Sequence, residues 1–256
     1  MRCIAITNQK GGVAKTTTAV NLAAGLQQLG KSVLLIDSDP QANATSHLGI
    51  DRKRLKNTLD NLYYQPELDI SEVLIARKGF AGLDVLPAGE PLAYAEQKLS
   101  GVPVKETLLS ERLADIGGDY DYIIIDCPPN LGFLTMNALV AATDMLVVIK
   151  PEYFALEGLM RISEKADLIK KRINPQLNLS GYLLANYDGR KNQHKAIRKA
   201  VEEKFPSKVF RTIIRTNARL SNATSQGQTI LEYDPKSHGA TDYMNLSKEV
   251  EERYGR

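Results

Sequence analysis

The stretch from Arg2 to Leu29 constrains the fold most: RCIAIT, then NQKGGVA, then KTTTAVNLAAGLQQL. Its apolar opening reads as a buried strand over Arg2–Thr7, and its later amphipathic repeat predicts a helix over Lys15–Leu29. The turn between them must bend sharply and aim backbone N–H groups at one point. Gly11 and Gly12 permit the close approach and positive φ angles that this needs. The helix adds its dipole and its unpaired amides, which together make an anion site. Strand, glycine turn, Lys-Thr-Thr and helix in that order point to the phosphates of a nucleotide. Lys15 is expected at the β- and γ-phosphates, the Thr16 hydroxyl on Mg²⁺, and Thr17 at the α-phosphate, with Val13 and Ala14 completing the cradle. The common pattern G-x-x-x-x-G-K-[ST] is not met, because Gln9 and Ala14 stand where its glycines would be. Ala14 is expected in the turn's helical exit, since left-handed geometry disfavours a residue with a Cβ. Lys10 is a second lysine at the loop entrance. Two ammonium groups so close are costly unless phosphate lies between them. The loop points Lys10 away from its own nucleotide, so it is expected to reach phosphate in a facing subunit.

Along the rest of the chain, short apolar runs alternate with amphipathic segments. Strands are predicted at Ser32–Ile36, Leu83–Pro87, Tyr122–Asp126, Met145–Lys150, Leu179–Asn186 and Val209–Ile214. Helices are predicted at Pro91–Leu99, Val104–Ile116, Thr135–Ala142, Ala155–Arg172, Gln193–Phe205 and Gly239–Glu252, and Ile50–Lys78 as short surface helices. Several strands are apolar on both faces, as in a buried parallel sheet. The alternation predicts an α/β fold, doubly wound, with a mostly parallel sheet flanked by helices, in one domain. Ligands in such sheets bind beyond the carboxyl ends of the strands. A hydrophobic fraction of 43% supports a core of that size. Cys3 and Cys127 lack a C-x-x-C partner, which argues against a disulfide framework or zinc site. With no signal peptide or long apolar stretch, the chain reads as cytoplasmic.

Two further segments end on acids. Leu35-Ile36-Asp37-Ser38-Asp39 closes the second strand beside the phosphate loop, where buried carboxylates are expensive unless they face metal or water. Tyr122-Ile-Ile-Ile-Asp126 closes another, which suits Asp126 to holding Mg²⁺ through water. Phosphoryl transfer needs mainly positioning and charge neutralisation, and Lys15, Thr16, Mg²⁺ and Asp126 would supply them. Cys127 has no nearby His and reads as packing.

Net charge is only +3, but residues 190–219 hold ten Lys/Arg against Glu202 and Glu203. Such a window suggests a polyanion-binding face, although a solvated helix laced with pairs such as Lys199–Glu203 would look alike. Lys191, Lys195, Arg198 and Lys199 fall along one helix face, with Ile197, Val201 and Phe205 opposite.

K-G-G-V-A-K-T-T is similar to the deviant Walker A motif K-G-G-x-x-K-[ST] of the ParA/MinD ATPases, in which Lys10 is the signature lysine. Asp39-Pro-Gln-Ala-Asn-Ala-Thr-Ser46, Tyr153-Phe-Ala-Leu-Glu-Gly158 and Tyr233-Asp-Pro-Lys-Ser-His-Gly-Ala240 resemble the short ParA/Soj branch, which lacks an N-terminal helix-turn-helix domain. The resemblance implies a P-loop NTPase fold and a weak ATP hydrolase. Two subunits sandwich two ATP and Mg²⁺ as a homodimer, with Lys10, Lys15 and Asp39 catalytic. Asp39 would position the attacking water, and Asp37 would help order the metal. It also implies nonspecific binding of double-stranded DNA on the nucleoid and hydrolysis stimulated by a ParB-like partner. Asp188-Gly-Arg190 and Asn217-Ala-Arg219-Leu resemble the family segments whose arginines contact DNA. Relatives usually read V-I-P-R-N-V-R-L where this chain has Ile213-Ile-Arg-Thr-Asn-Ala-Arg-Leu220, so Arg215 is a further DNA candidate. Asn186 is an adenine reader by analogy with MinD. A positioning ATPase for a protein assembly, of chemoreceptor or carboxysome type, stays open. A MinD-like membrane role is disfavoured, because the last helix shows no stripe suited to a bilayer.

Overall fold

A computed structural model describes residues 1–255 except 78, 80, 81, 117, 153 and 154. Tyr153 and Phe154 of the predicted family motif therefore lie outside the described residues. The chain runs β1 (Arg2–Thr7), α1 (Lys15–Gln28), β2 (Val33–Asp37), α2 (Asn43–His47), α3 (Leu59–Tyr64), β3 (Ile75–Ala76), β4 (Leu83–Leu86), α4 (Ala95–Lys98) and α5 (Leu108–Ala114). It continues with β5 (Tyr122–Asp126), α6 (Phe133–Ala141), β6 (Asp144–Ile149), α7 (Ala155–Arg172), β7 (Asn178–Leu184), α8 (Asn192–Lys204), α9 (Ala218–Ser225), α10 (Ile230–Tyr233) and α11 (His238–Tyr254).

The seven strands lie in the order β3-β4-β2-β5-β1-β6-β7, all parallel except the short antiparallel β3. Alternate residues of β1 feed opposite cores. Cys3 and Ala5 face the side packed by α3 and α5–α8, while Ile4 and Ile6 face α1, α2 and α9–α11. Burial on both faces explains the unbroken apolar runs that marked these strands. Gly25 lets α11 lie close on α1, since a Cβ there would collide with the Ser247 hydroxyl. The apolar side of α11, with Ala240, Tyr243, Leu246 and Val250, is spent on this packing. No described helix is long and apolar enough to cross a membrane.

Three expectations change. Val209–Ile214 is not a strand: Val209 forms an isolated bridge with Tyr182 of β7, the Ile214 amide bonds the Leu184 carbonyl at 2.9 Å, and a second bridge, Tyr187–Arg215, lies just beyond both segments. Between them the amides of Arg211 and Thr212 go instead to the Glu249 carboxylate of α11, each at 2.8 Å, so a side chain replaces the ladder. Pro91–Leu99 is a 3-10 turn, Glu90–Tyr94, running into the short α4. Val104–Ile116 begins with Val104 in the left-handed region at φ 54°, which delays α5 to Leu108. The segment 50–77 holds the expected short helices and also β3, whose two residues carry too little pattern to read.

Candidate functional site

In-register pairing sets the site. Asp37 and Asp126 are direct partners on β2 and β5, and Ile6 of β1 is opposite Asp126 on the other side. Three strand ends thus deliver the phosphate loop and both acids to one edge of the sheet. Asn8 fixes the start of the loop, donating to the Val148 carbonyl at 2.7 Å and accepting from the Lys10 amide at 2.9 Å. Gly12 has φ 72°, and a Cβ on Gly11 or Gly12 would meet nothing, so the loop surface is open for a ligand. Positive φ is needed at Gly12 and not at Gly11.

Ala14 departs from expectation. It sits at φ 75°, ψ 31°, in the left-handed region, and serves as the N-cap of α1, whose Thr18 amide bonds its carbonyl at 2.9 Å. The turn enters α1 by the route that a glycine takes freely, and the methyl group pays the strain, roughly 1–2 kcal/mol. Val13 is buried behind the loop.

A cleft of about 460 Å³ opens over Gly11, Gly12, Ala14, Lys15, Thr16, Thr17 and Asp39, with His47 and Thr224 on its far wall. Lys15 is nearly buried, and its Nζ donates to the Lys10 carbonyl at 3.2 Å. Burial lowers its pKa, while Asp126 and Asp39 pull it back up. Lys10 points elsewhere: it pairs with Glu152, which also binds Lys150 at 2.5 Å. These two ammonium groups hold the Glu152 carboxyl down at about 2.

The two strand-end acids differ in what they touch. Asp37 is fully buried but satisfied, accepting from the Thr45 amide at 2.8 Å, the Thr45 hydroxyl at 2.7 Å and the Asp39 amide at 3.2 Å. Burial still pushes it up to about 6. Asp126 is equally buried, and neither of its oxygens is in hydrogen-bond geometry with a protein group. Burial, then Asp37, raises its pKa well above the carboxylate range, although the nearby Thr16 hydroxyl and Lys15 favour the ionised form. An orphaned carboxylate behind a threonine hydroxyl is a hard-oxygen site that suits a hydrated Mg²⁺. Among the described residues no group of three or more His, Cys, Asp or Glu forms a separate metal cage. Burial also holds the Cys127 thiol protonated.

Residues without a sequence signal tie this site to the rest of the fold. Buried Asn21, one turn after Thr17, donates to the Thr17 carbonyl and accepts from the Ile230 amide, both at 2.8 Å. His47 of α2 packs on α9, with the Thr224 hydroxyl 3.3 Å from its ring, and burial lowers its pKa to about 4. Beside it Gly49 and Gly227 cross backbone to backbone: a Cβ on Gly227 would stand 2.8 Å from the Gly49 Cα.

The basic window divides. Tyr187 and Arg215 are bridged, the Tyr187 amide bonding the Ile214 carbonyl at 3.1 Å and the Thr216 amide the Tyr187 carbonyl at 3.0 Å. This sets the segments bearing Arg190 and Arg219 side by side beyond β7. Asn186, in the left-handed region at φ 53°, begins the first of them. Arg190 is 91% exposed and is gripped by Asp188 at 2.9 Å. The Asp188 amide bonds His194 of α8 at 3.0 Å, which orders that loop. Arg219 is 59% exposed, with Asp234 at 3.6 Å. Arg215 is the least free, held on Asp242 at 2.6 Å, and Asp242 also takes the Arg215 amide at 3.0 Å. On α8, Val201 is buried as expected, with Ile197 and Phe205 against the core. Arg198 pairs with Glu202 at 2.7 Å and Lys199 with Glu203 at 3.7 Å. Lys191 and Lys195 are exposed, and no described carboxylate pairs with them.

Comparison with known proteins gives a consistent picture. The AAA domain family matches residues 1–179. The sporulation initiation inhibitor protein Soj of Bacillus subtilis is 44% identical, over 97% of this chain and 98% of its own. The chromosome partitioning protein ParA of Myxococcus xanthus is 42% identical, over 98% of this chain and 88% of its own. Among solved structures, cobyrinic acid a,c-diamide synthase of Mycobacterium smegmatis with a bound ATP analogue and magnesium superposes with a TM-score of 0.86. It is 32% identical, over 100% of this chain and 97% of that one. Loop, acids, sheet order and full-length likeness agree, and the chain belongs to the ParA/Soj branch of the ParA/MinD family of deviant Walker A ATPases.

Proposed function

We propose that this chain is a DNA-partitioning ATPase that binds ATP and Mg²⁺, dimerises around them, and holds double-stranded DNA nonspecifically on the nucleoid until a ParB-like partner stimulates hydrolysis. The observation that carries the reading is the Tyr187–Arg215 bridge. It joins two arginine-bearing segments into one basic ledge, and Asn21 ties the helix of the phosphate loop to the start of α10, just beyond that ledge.

The geometry supports a role for each residue. The loop amides and the N-terminus of α1 bind phosphate oxygens, and Lys15 neutralises their charge from a nearly dry position. Thr16 and Asp126 would hold the metal. Mg²⁺ held there would supply charge neutralisation for phosphoryl transfer. Asp37, its oxygens already engaged by Thr45 and the Asp39 amide, orders the turn that presents Asp39. Asp39 orients the attacking water. Lys10 exchanges Glu152 for phosphate of the facing subunit. Asn186 reads the base from the end of β7. Arg190, Arg219, Lys191, Lys195 and Lys199 contact DNA phosphates, with Arg198 and Arg215 as weaker contributors because they are only 41% and 46% exposed. Such contacts need mobile cations and no base-reading geometry.

The test is DNA binding by the full chain with ATP, with ADP, and with ATP in Lys10→Ala. ATP-dependent binding that Lys10→Ala abolishes supports the reading. Equal binding in all three states, or none with ATP, refutes it.

A further inference from the structure

The turn after β2 is braced by one distant side chain. Thr45 is the third residue of α2, so its amide has no carbonyl partner within the helix. Here it is given to Asp37 at 2.8 Å instead. The Gln41 carbonyl is taken by Arg52, whose Nη1 donates to it at 3.2 Å. Arg52 lies in a 3-10 turn, Arg52–Arg54, and its Nη2 faces Glu90 at 3.5 Å. The Gln41 amide in turn donates to Asp39 Oδ1 at 3.0 Å. The turn closes through the Ala42 amide on the Asp39 carbonyl at 2.8 Å, with Ala42 left-handed at φ 52°. A strained tight turn therefore carries Asp39, and it is clamped from outside at Gln41.

We infer that Arg52 is a positioning residue for hydrolysis: by holding the Gln41 carbonyl it sets the direction of the Asp39 carboxylate over the phosphate cleft. This rests on the proposed role of Asp39. Arg52 does not line the cleft over the phosphate loop. Its side chain borders a separate cavity of about 710 Å³ behind α2, lined also by Ser46, Thr58, Gly89 and Glu90. That cavity admits a free guanidinium ion to the place that the Arg52 head group would vacate.

The experiment is steady-state ATPase kinetics on the full chain for wild type, Arg52→Ala, Arg52→Lys, Arg54→Ala and Asp39→Ala, with thermal melting of each. Arg54 shares the 3-10 turn, is 87% exposed and among the described residues pairs with its near neighbour Asp51, so it controls for loss of charge. Arg52→Ala is expected to lower kcat roughly tenfold with KM for ATP within about twofold, because misplacement of a catalytic group costs rate rather than binding. Guanidinium chloride at millimolar levels, or Arg52→Lys, should restore part of the rate, and Arg54→Ala should behave as wild type. The inference is overturned by wild-type kcat in Arg52→Ala. It is overturned equally by a loss that Arg54→Ala shares, a parallel rise in KM, or a loss that neither guanidinium nor lysine rescues. Wild-type turnover in Asp39→Ala would instead remove the role of Asp39 itself.

Discussion

Lys10 is paired with Glu152 while Lys15, five residues on, turns back onto the Lys10 carbonyl. The two lysines of the loop thus face different ways within one chain. Lys10→Ala is expected to abolish ATP-dependent dimerisation while ATP binding survives, as read by light scattering and nucleotide titration. Glu152→Gln should strengthen the dimer by up to about fivefold, since an exposed pair contributes at most about 1 kcal/mol. An unchanged dimer in Lys10→Ala would remove the cross-subunit role.

Asp39 sits at the cleft, and its neighbour Asp37 is committed to Thr45. Asp39→Ala should therefore bind ATP, accumulate as a dimer and hydrolyse at least roughly tenfold more slowly. Size-exclusion chromatography with ATP, alongside phosphate release, checks both halves.

On the basic ledge the arginines should differ. Arg219→Glu should weaken DNA binding and reduce the slope of log K against log salt by about 1, with dimerisation intact. Arg215→Ala should have the smaller effect on DNA and the larger one on stability, because it deprives nearly buried Asp242 of its partner. Filter binding across a salt series and thermal melting separate the two. Equal DNA affinity in Arg219→Glu would return the window to a solvated face.

His47 makes stability depend on acid. Its pKa falls from the usual 6.5 to about 4 in the fold. The unfolded chain therefore takes up a proton that the folded chain refuses. Its contribution is complete above pH 6.5 and lost as pH falls through 4, with a ceiling of roughly 3 kcal/mol. Urea melts between pH 7 and pH 4 should show a flatter decline in His47→Gln. The difference between the two proteins isolates His47 from Asp37 and Asp126, whose raised pKa values act with the opposite sign. Parallel declines would contradict this.

Ala14→Gly should stabilise the apo protein by about 0.5–1 kcal/mol, the left-handed strain relieved less the entropy of a glycine in the unfolded chain. That corresponds to a melting temperature roughly 2 °C higher for a chain of this size. A lower melting temperature would mean that the methyl group's burial matters more than its backbone angle.

What could be read in advance follows from which interactions are local. β5 is predicted at Tyr122–Asp126 and found there, because a strand buried on both faces writes its extent in one apolar run. The phosphate loop is legible because glycines, lysines and helix start are contiguous. Ala14 is misread because a residue's identity does not fix its φ when the whole turn dictates it. Val209–Ile214 looks like a strand by composition, yet Glu249, far along the chain, takes its amides. Thr45, Asn21, Arg52 and Glu152 are invisible for the same reason: each matters through a partner that only the fold brings near.

The crossing of Gly49 and Gly227 leaves no room for even a methyl group between two backbones. One of these follows the helix that supports Asp37, and the other follows the helix that carries Arg219. Such a contact has no clearance. A tilt of α2 toward α9 must be matched by α9 or end in steric overlap. Two residues with no side chain at all thereby set the mechanical tolerance between the phosphate cleft and the basic ledge.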